Sequence, residues 1–112
     1  MNIYDKAHEL ASALKESKEV IEITDAVKLI DVDQSSKEML DNFRAKQNEM
    51  QQRMMSGQMP EQEEMEKMEK QFELLSQNPN IVRLFDAERR LSVIIQDVNK
   101  IITDSLQHLY NV

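Results

Sequence analysis

Cysteine and tryptophan are absent from this sequence of 112 residues, and glycine occurs once and proline twice. Without cysteine the chain forms no disulfide, and it supplies no thiolate for a zinc finger or an iron–sulfur cluster. A single glycine is too few for a glycine-rich loop that wraps a phosphate group. These absences exclude several common kinds of binding site before any motif is considered.

Long apolar runs are also missing. No stretch reaches the roughly 20 apolar residues that cross a membrane, and the N-terminal residues MNIYDKAHELASALK lack the apolar segment of a signal peptide. The net charge of −7 repels a phosphate backbone, which disfavours direct binding of nucleic acid. We therefore expect a cytoplasmic protein with no membrane contact and no direct nucleic-acid ligand.

The residues that are abundant, mainly Ala, Glu, Lys, Gln, Met and Leu, favour helices. Apolar residues recur at spacings of three and four along most of the chain, as on one face of a helix. We predict an all-α helical bundle in a single domain over residues 1–112. Its parts are two short N-terminal helices (about 2–16 and 18–31), an antiparallel hairpin (about 36–56 and 60–77) and a long C-terminal helix (about 80–109).

Residues that start or stop helices occupy the breaks in this pattern. Ser35 and Glu38 have the spacing of a capping box at the start of the third helix. Gly57 follows the end of that helix, where glycine adopts the left-handed conformation at low cost. Pro60 is expected in the first turn of the fourth helix, and Asn78 is expected to cap the fifth.

The hairpin has a register that the sequence specifies. Folding the chain back on itself near residue 59 places three pairs of seam residues opposite each other: Met50 with Met68, Gln47 with Phe72, and Phe43 with Leu75. Pairs that match over several turns are what an antiparallel hairpin requires.

Six methionines lie between residues 50 and 68. Packing between the hairpin helices is the favoured interpretation, because methionine fills irregular gaps without strain. Two alternatives are a partner-binding surface at the hairpin tip, carried by Met54, Met55 and Met59, and a copper(I) site built from thioethers.

The last helix carries an apolar stripe too wide for one hairpin to cover. We predict that part of it forms an oligomer interface, most simply a two-fold dimer, with a tetramer as the alternative. The predicted interface residues are Leu84, Leu91, Ile95, Val98 and Ile102. Glu88 interrupts the stripe, and Arg89 or Arg90 is the expected partner of its carboxylate.

Catalytic and metal-binding signatures are not found. The segment HEL at residues 8–10 lacks the second histidine of a zinc-binding HExxH motif. Asp104 and His108 are four residues apart, but a solvated pair at a helix end is the favoured interpretation. We predict no catalytic residue, no metal ligand and no cofactor, and therefore no enzyme.

Two stretches, SSKEMLDNFRAKQNEMQQRMMSGQMP and NPNIVRLFDAERRLSVIIQDVNKII, resemble the YlbF/YmcA family of small bacterial helical proteins, and the match is nearest to its YheA-like branch. The resemblance covers about residues 4–110. It implies an all-helical fold with a long C-terminal helix and homo-oligomers. Some members act as adaptor subunits of a complex that influences an RNA-degrading endonuclease, and they share an iron–sulfur cluster held by cysteines. This chain has no cysteine, so that cofactor is not carried over.

The residues and the resemblance together predict a non-enzymatic, self-associating adaptor or regulatory module that acts through protein–protein contacts. The alternative function is regulation of RNA processing or decay, as a subunit of a nuclease-associated complex.

Overall fold

Five α-helices follow one another in the structure, a computed structural model that describes residues 2–110. They are α1 (Ile3–Lys15), α2 (Lys18–Asp31), α3 (Gln34–Met55), α4 (Gln62–Leu75) and α5 (Pro79–Leu106), followed by one 3₁₀ turn at Gln107–Leu109. No strand occurs within the described range. The predicted all-α architecture, with two short helices, a hairpin and a long final helix, is therefore confirmed.

The hairpin turn after α3 is closed by backbone hydrogen bonds. The Gly57 N–H donates to the Met54 carbonyl at 3.1 Å, and the Gln58 N–H donates to the Arg53 carbonyl at 2.8 Å. This pair of bonds is the Schellman arrangement, which satisfies carbonyls at a helix end. Gly57 has a φ of 87°, as predicted from its position.

Two predicted helix starts differ from the structure. The capping box of Ser35 and Glu38 is wrong, because α3 begins at Gln34 and its N-terminal cap is Asp33. Pro60 precedes α4 instead of lying in its first turn, since that helix begins at Gln62. Residues 58–61 have no regular structure, and Glu61 is the N-terminal cap of α4.

A short hydrogen-bonded chain joins the starts of α3 and α5. The Ser36 hydroxyl donates to the Asp33 carboxylate at 2.7 Å and accepts from the Asn78 amide at 2.6 Å. Asn78 caps α5 as predicted, because its side-chain oxygen accepts from the N–H groups of Asn80 and Ile81 at 3.0 and 3.3 Å. Ser36 is buried, so these bonds satisfy a polar group that would otherwise be costly to remove from water.

The core lies where α2, α3, α4 and α5 meet. Its buried apolar residues are Ala26, Ile30, Leu40, Phe43, Leu75, Ile81, Leu84 and Ala87. Ala26 of α2 and Ala87 of α5 are both completely buried, and small side chains of this kind let two helices approach closely. By contrast, α1 contributes no buried residue.

Charged side chains fix how α2 lies along α5. Arg90 of α5 donates to Glu22 of α2 and also to Asp86, one turn earlier in its own helix, at 3.2 Å. Asp86 in turn accepts from Arg89 at 2.6 Å, which is the largest reason why the pKa of Asp86 lies below its usual value. Arg83 lies 4.0 Å from Asp25. Because the later residue of α5, Arg90, pairs with the earlier residue of α2, Glu22, the two helices run in opposite directions.

The hydrogen bond from Ser36 lowers the pKa of Asp33 below the usual carboxyl value. Because the folded pKa is the lower one, this interaction stabilises the fold above the unfolded pKa and is lost as the pH falls through the folded pKa. We predict that Ser36→Ala raises the pKa of Asp33, measured by following its carboxyl carbon by NMR during an acid titration.

Ser35→Ala is the matched control for that titration, because it removes a neighbouring hydroxyl group. In the part of the chain that the structure describes, this hydroxyl makes no hydrogen bond to the Asp33 carboxylate. The control should leave the Asp33 midpoint in place. An equal shift of the Asp33 pKa in both variants would contradict the attribution of its low pKa to the Ser36 hydrogen bond.

Candidate interaction surfaces

The predicted oligomer residues of α5 fall into two groups. Leu84 is 1% exposed and belongs to the core, so it is not available to a second copy, and the prediction that it lies at an interface is wrong for this conformation. Leu91 and Val98 are partly buried. Ile95 and Ile102 are 42% and 50% exposed and lie seven residues apart, on the same side of the helix.

Exposure of apolar residues on α5 increases toward its C-terminal end. The first half of the helix packs against the other helices through Ile81, Leu84 and Ala87. Beyond Leu91 the large exposed apolar residues are Val93, Ile95, Ile101, Ile102, Leu106, Leu109 and Tyr110. Most of these residues lie on the second half of α5, which therefore leaves large apolar side chains in contact with solvent.

The total exposed surface of the chain is also large for its mass. A compact monomer of 13.1 kDa exposes roughly 6,400 Å², whereas this chain exposes 9008 Å². The radius of gyration is 18.4 Å, against about 13 Å for a compact chain of this length. The chain is therefore more open than a typical isolated domain.

The two hairpin helices are joined near their tip by Arg53 and Glu64, whose side chains are 2.8 Å apart. The predicted register agrees with the lining of two clefts between the helices: Met50 and Met68 line one, and Gln47 and Phe72 line the other. Phe43 and Leu75, the third predicted pair, belong to the same buried cluster.

Met54, Met55 and Met59, the residues predicted to form a partner surface, are all exposed. Met54 lines a groove of about 390 Å³ between α3 and α4, which we call the methionine groove. Its lining residues are Gln47, Met50, Gln51, Met54, Met65 and Met68, so Met55 and Met59 lie outside it.

A second cleft lies where the hairpin meets α5, and its feature is a group of three phenylalanines. The rings of Phe72 and Phe85 are stacked with centres 6.2 Å apart, and Phe43 lies 6.1 Å from Phe72. The Arg44 guanidinium lies 5.9 Å from the centre of the Phe85 ring and pairs with Glu88.

Glu88 therefore has a partner that the sequence analysis missed. The predicted pairing of Glu88 with Arg89 or Arg90 is wrong, because both arginines bond to Asp86. Adjacent residues on a helix point in different directions, so a residue in another helix was the better candidate. The signal that could have found it is Arg44, which lies one position after the seam residue Phe43.

Residues 2–110 contain no group of three or more acidic, histidine or cysteine side chains arranged to hold a metal ion. Within the same range, no helix is both long enough and apolar enough to cross a membrane.

Comparison with known proteins identifies the family. The family described as "Control of competence regulator ComK, YlbF/YmcA" matches residues 3–107. This chain belongs to the YlbF/YmcA family. A UPF0342 protein of Shouchella clausii is 50% identical over 97% of this chain and 92% of its own length. The UPF0342 protein YheA of Bacillus subtilis is 37% identical over 98% of this chain and 94% of its own length.

Solved structures of the family share the fold. A "Protein of Unknown Function (DUF964) from Bacillus stearothermophilus" superposes with a TM-score of 0.87 at 25% identity, and the match covers 97% of this chain and 96% of that one. YheA from Bacillus subtilis superposes with a TM-score of 0.74 at 31% identity, over 98% of this chain and 100% of that one. The YlbF/YmcA resemblance and its YheA-like branch are thus confirmed, and none of these relatives is named as an enzyme.

Burial of Leu84 in the core of this YlbF/YmcA family member makes its side chain important for stability. Leu84→Ala should lower the free energy of unfolding by about 2–5 kcal/mol, because it leaves a cavity among buried side chains. The measurement is denaturant unfolding followed by circular dichroism. Val82→Ala, at an exposed position on the same helix, should cost about 1 kcal/mol or less. If both variants lost a similarly small free energy of unfolding, the assignment of Leu84 to the core would be contradicted.

Proposed function

We propose that this chain is a non-enzymatic regulatory module that associates with itself and acts through protein–protein contacts. The observation that carries the proposal is the apolar surface on the second half of α5, centred on Ile95 and Ile102. Monomeric proteins rarely expose a contiguous apolar patch of more than a few hundred Å². Leu91 and Val98 lie on the same stripe and complete the proposed oligomer interface.

The excess surface is large enough for a stable interface. The chain exposes 9008 Å², which is roughly 2,600 Å² more than a compact monomer of its mass. A standard protein–protein interface buries about 800 Å² on each partner. Pairing of two copies through α5 would cover such an area and leave the hairpin free. A dimer is the simplest assembly, and a tetramer would use α1 as an additional contact.

The regulatory part of the proposal draws on the family. The family description refers to control of a competence regulator, a role that a protein without a catalytic centre performs by binding. The proposed surface for a partner protein lies on the hairpin, because Met54 is exposed there in the methionine groove, whose lining residues all belong to α3 and α4.

Self-association has a direct test in solution. The wild-type protein should sediment at equilibrium with a mass at least twice 13.1 kDa. The double substitution Ile95→Glu and Ile102→Glu should reduce the mass to that of one chain, because it places two charges in an apolar contact that must lose water.

Val82→Glu is the control for that experiment, since Val82 is exposed on the first half of α5 and lies away from the proposed interface. Its mass should equal that of the wild type. A wild-type protein that stays monomeric at high micromolar concentration would refute the self-association proposal.

A further inference from the structure

The methionine groove has the composition of a site for an apolar helix face. Met50 and Met68 are partly buried at its base, while Met54 and Met65 are 52% and 54% exposed. Methionine side chains have three rotatable bonds and a polarisable sulfur, so they adapt to apolar groups of different shape. An amphipathic helix commonly binds in such a groove through anchors spaced three, four and seven residues apart.

The residues that line this groove are uncharged, and exposed glutamates lie beside its α4 edge. Glu61, Glu69 and Glu73 lie at multiples of four residues from Met65, so they follow the same edge of α4. All three are exposed, and within residues 2–110 no basic nitrogen lies within 4 Å of their carboxylates. Gln47 and Gln51 form the lining on the α3 side.

Two basic residues of the hairpin, Arg53 and Lys67, pair with other glutamates. Arg53 pairs with Glu64 at 2.8 Å, and Lys67 lies 3.8 Å from Glu63. Arg53, Glu64 and Lys67 line a separate cleft on the other side of the Met50–Met68 seam. The methionine groove therefore combines an apolar base with unpaired negative charge along one edge.

We propose that the methionine groove binds a basic amphipathic helix of a partner protein. Apolar residues of that helix would contact Met50, Met54, Met65 and Met68, and its lysines or arginines would face Glu61, Glu69 and Glu73. This inference deepens the proposed function and rests on it, because it specifies which kind of protein the regulatory module binds. A second copy of this chain is the less favoured occupant, since each copy carries a net charge of −7 and the same acidic edge.

A defined probe avoids the need to know the natural partner. The probe is a fluorescent peptide of about 18 residues, long enough to form a helix, with leucines on one face and lysines on the other. Its control peptides keep the leucine positions but carry glutamate for lysine, or keep the composition in scrambled order. Fluorescence anisotropy with the full chain should detect the lysine peptide at micromolar protein and neither control. Added salt should weaken binding.

Matched double variants locate the site. Met54→Gln with Met65→Gln should weaken binding by about tenfold or more, as expected when central apolar contacts are lost. Met55→Gln with Met59→Gln introduces the same chemistry at exposed methionines outside the groove and should leave binding unchanged. Glu69→Gln with Glu73→Gln should weaken binding and reduce its salt dependence. Circular dichroism confirms that each variant is folded.

Several outcomes would overturn the proposal. Equal binding of the lysine and glutamate peptides would contradict the proposed charge complementarity. Equal weakening by the two methionine pairs, or an effect of the Met55 and Met59 pair alone, would assign the contact to the tip in place of the groove. A lower sedimentation mass for the Met54 and Met65 pair would make the groove an interface between copies of this chain.

The α5 variant separates this proposal from the proposed self-association. If Ile95→Glu with Ile102→Glu is monomeric and still binds the lysine peptide, both proposals hold. An oligomeric wild type that does not bind the peptide overturns only the groove proposal. A monomeric wild type that binds the peptide overturns only self-association.

Discussion

Close packing of α2 along the first half of α5 determines how the rest of the chain is arranged. Ala26 of α2 and Ala87 of α5 are completely buried, and the Arg90–Glu22 pair joins the two helices. Because α2 has only 14 residues and α5 has 28, α2 cannot cover the whole of the longer helix. The second half of α5 is consequently left with its apolar side exposed, and α1, which has no buried residue, does not close it off.

The position of the hairpin follows from the same packing. Ser36 at the start of α3 bonds to Asn78, which caps α5, so the hairpin leaves the core at a fixed point. Phe43 and Leu75 anchor its base among buried side chains, whereas toward the tip the seam residues Met50 and Met68 are only partly buried. The hairpin is therefore firmly packed at one end and open at the other, where its methionines meet solvent.

The sequence predicted the helices well, because the spacing of apolar residues reflects the repeat of a helix and is a local property. The same spacing does not distinguish a contact within the chain from a contact between chains. Leu84 and Ile95 belong to one stripe by this criterion, yet Leu84 is buried by the chain itself and Ile95 is exposed. Only the lengths and positions of the neighbouring helices separate them.

Polar partners were harder to predict for a related reason. Glu88 pairs with Arg44 and Arg90 pairs with Glu22, and these partners are 44 and 68 residues apart in sequence. Such pairs depend on how whole helices dock, so local spacing carries no information about them. The predicted start of α3 was wrong because Asp33 and Ser35 are both suitable caps. The structure uses Asp33, which accepts a hydrogen bond from Ser36, and Ser36 in turn accepts one from Asn78, the cap of α5.

The two exposed apolar surfaces differ in chemistry in a way that fits different partners. Three of the four proposed interface residues of α5, Ile95, Val98 and Ile102, have β-branched side chains, which keep few rotamers in a helix and present a nearly fixed shape. A fixed shape suits a contact that two identical chains make repeatedly in the same geometry. The groove uses methionine, whose flexible side chain adapts to different partners. A surface of that kind, beside an unpaired acidic edge, suits helices that share charge and amphipathic pattern but not a single sequence.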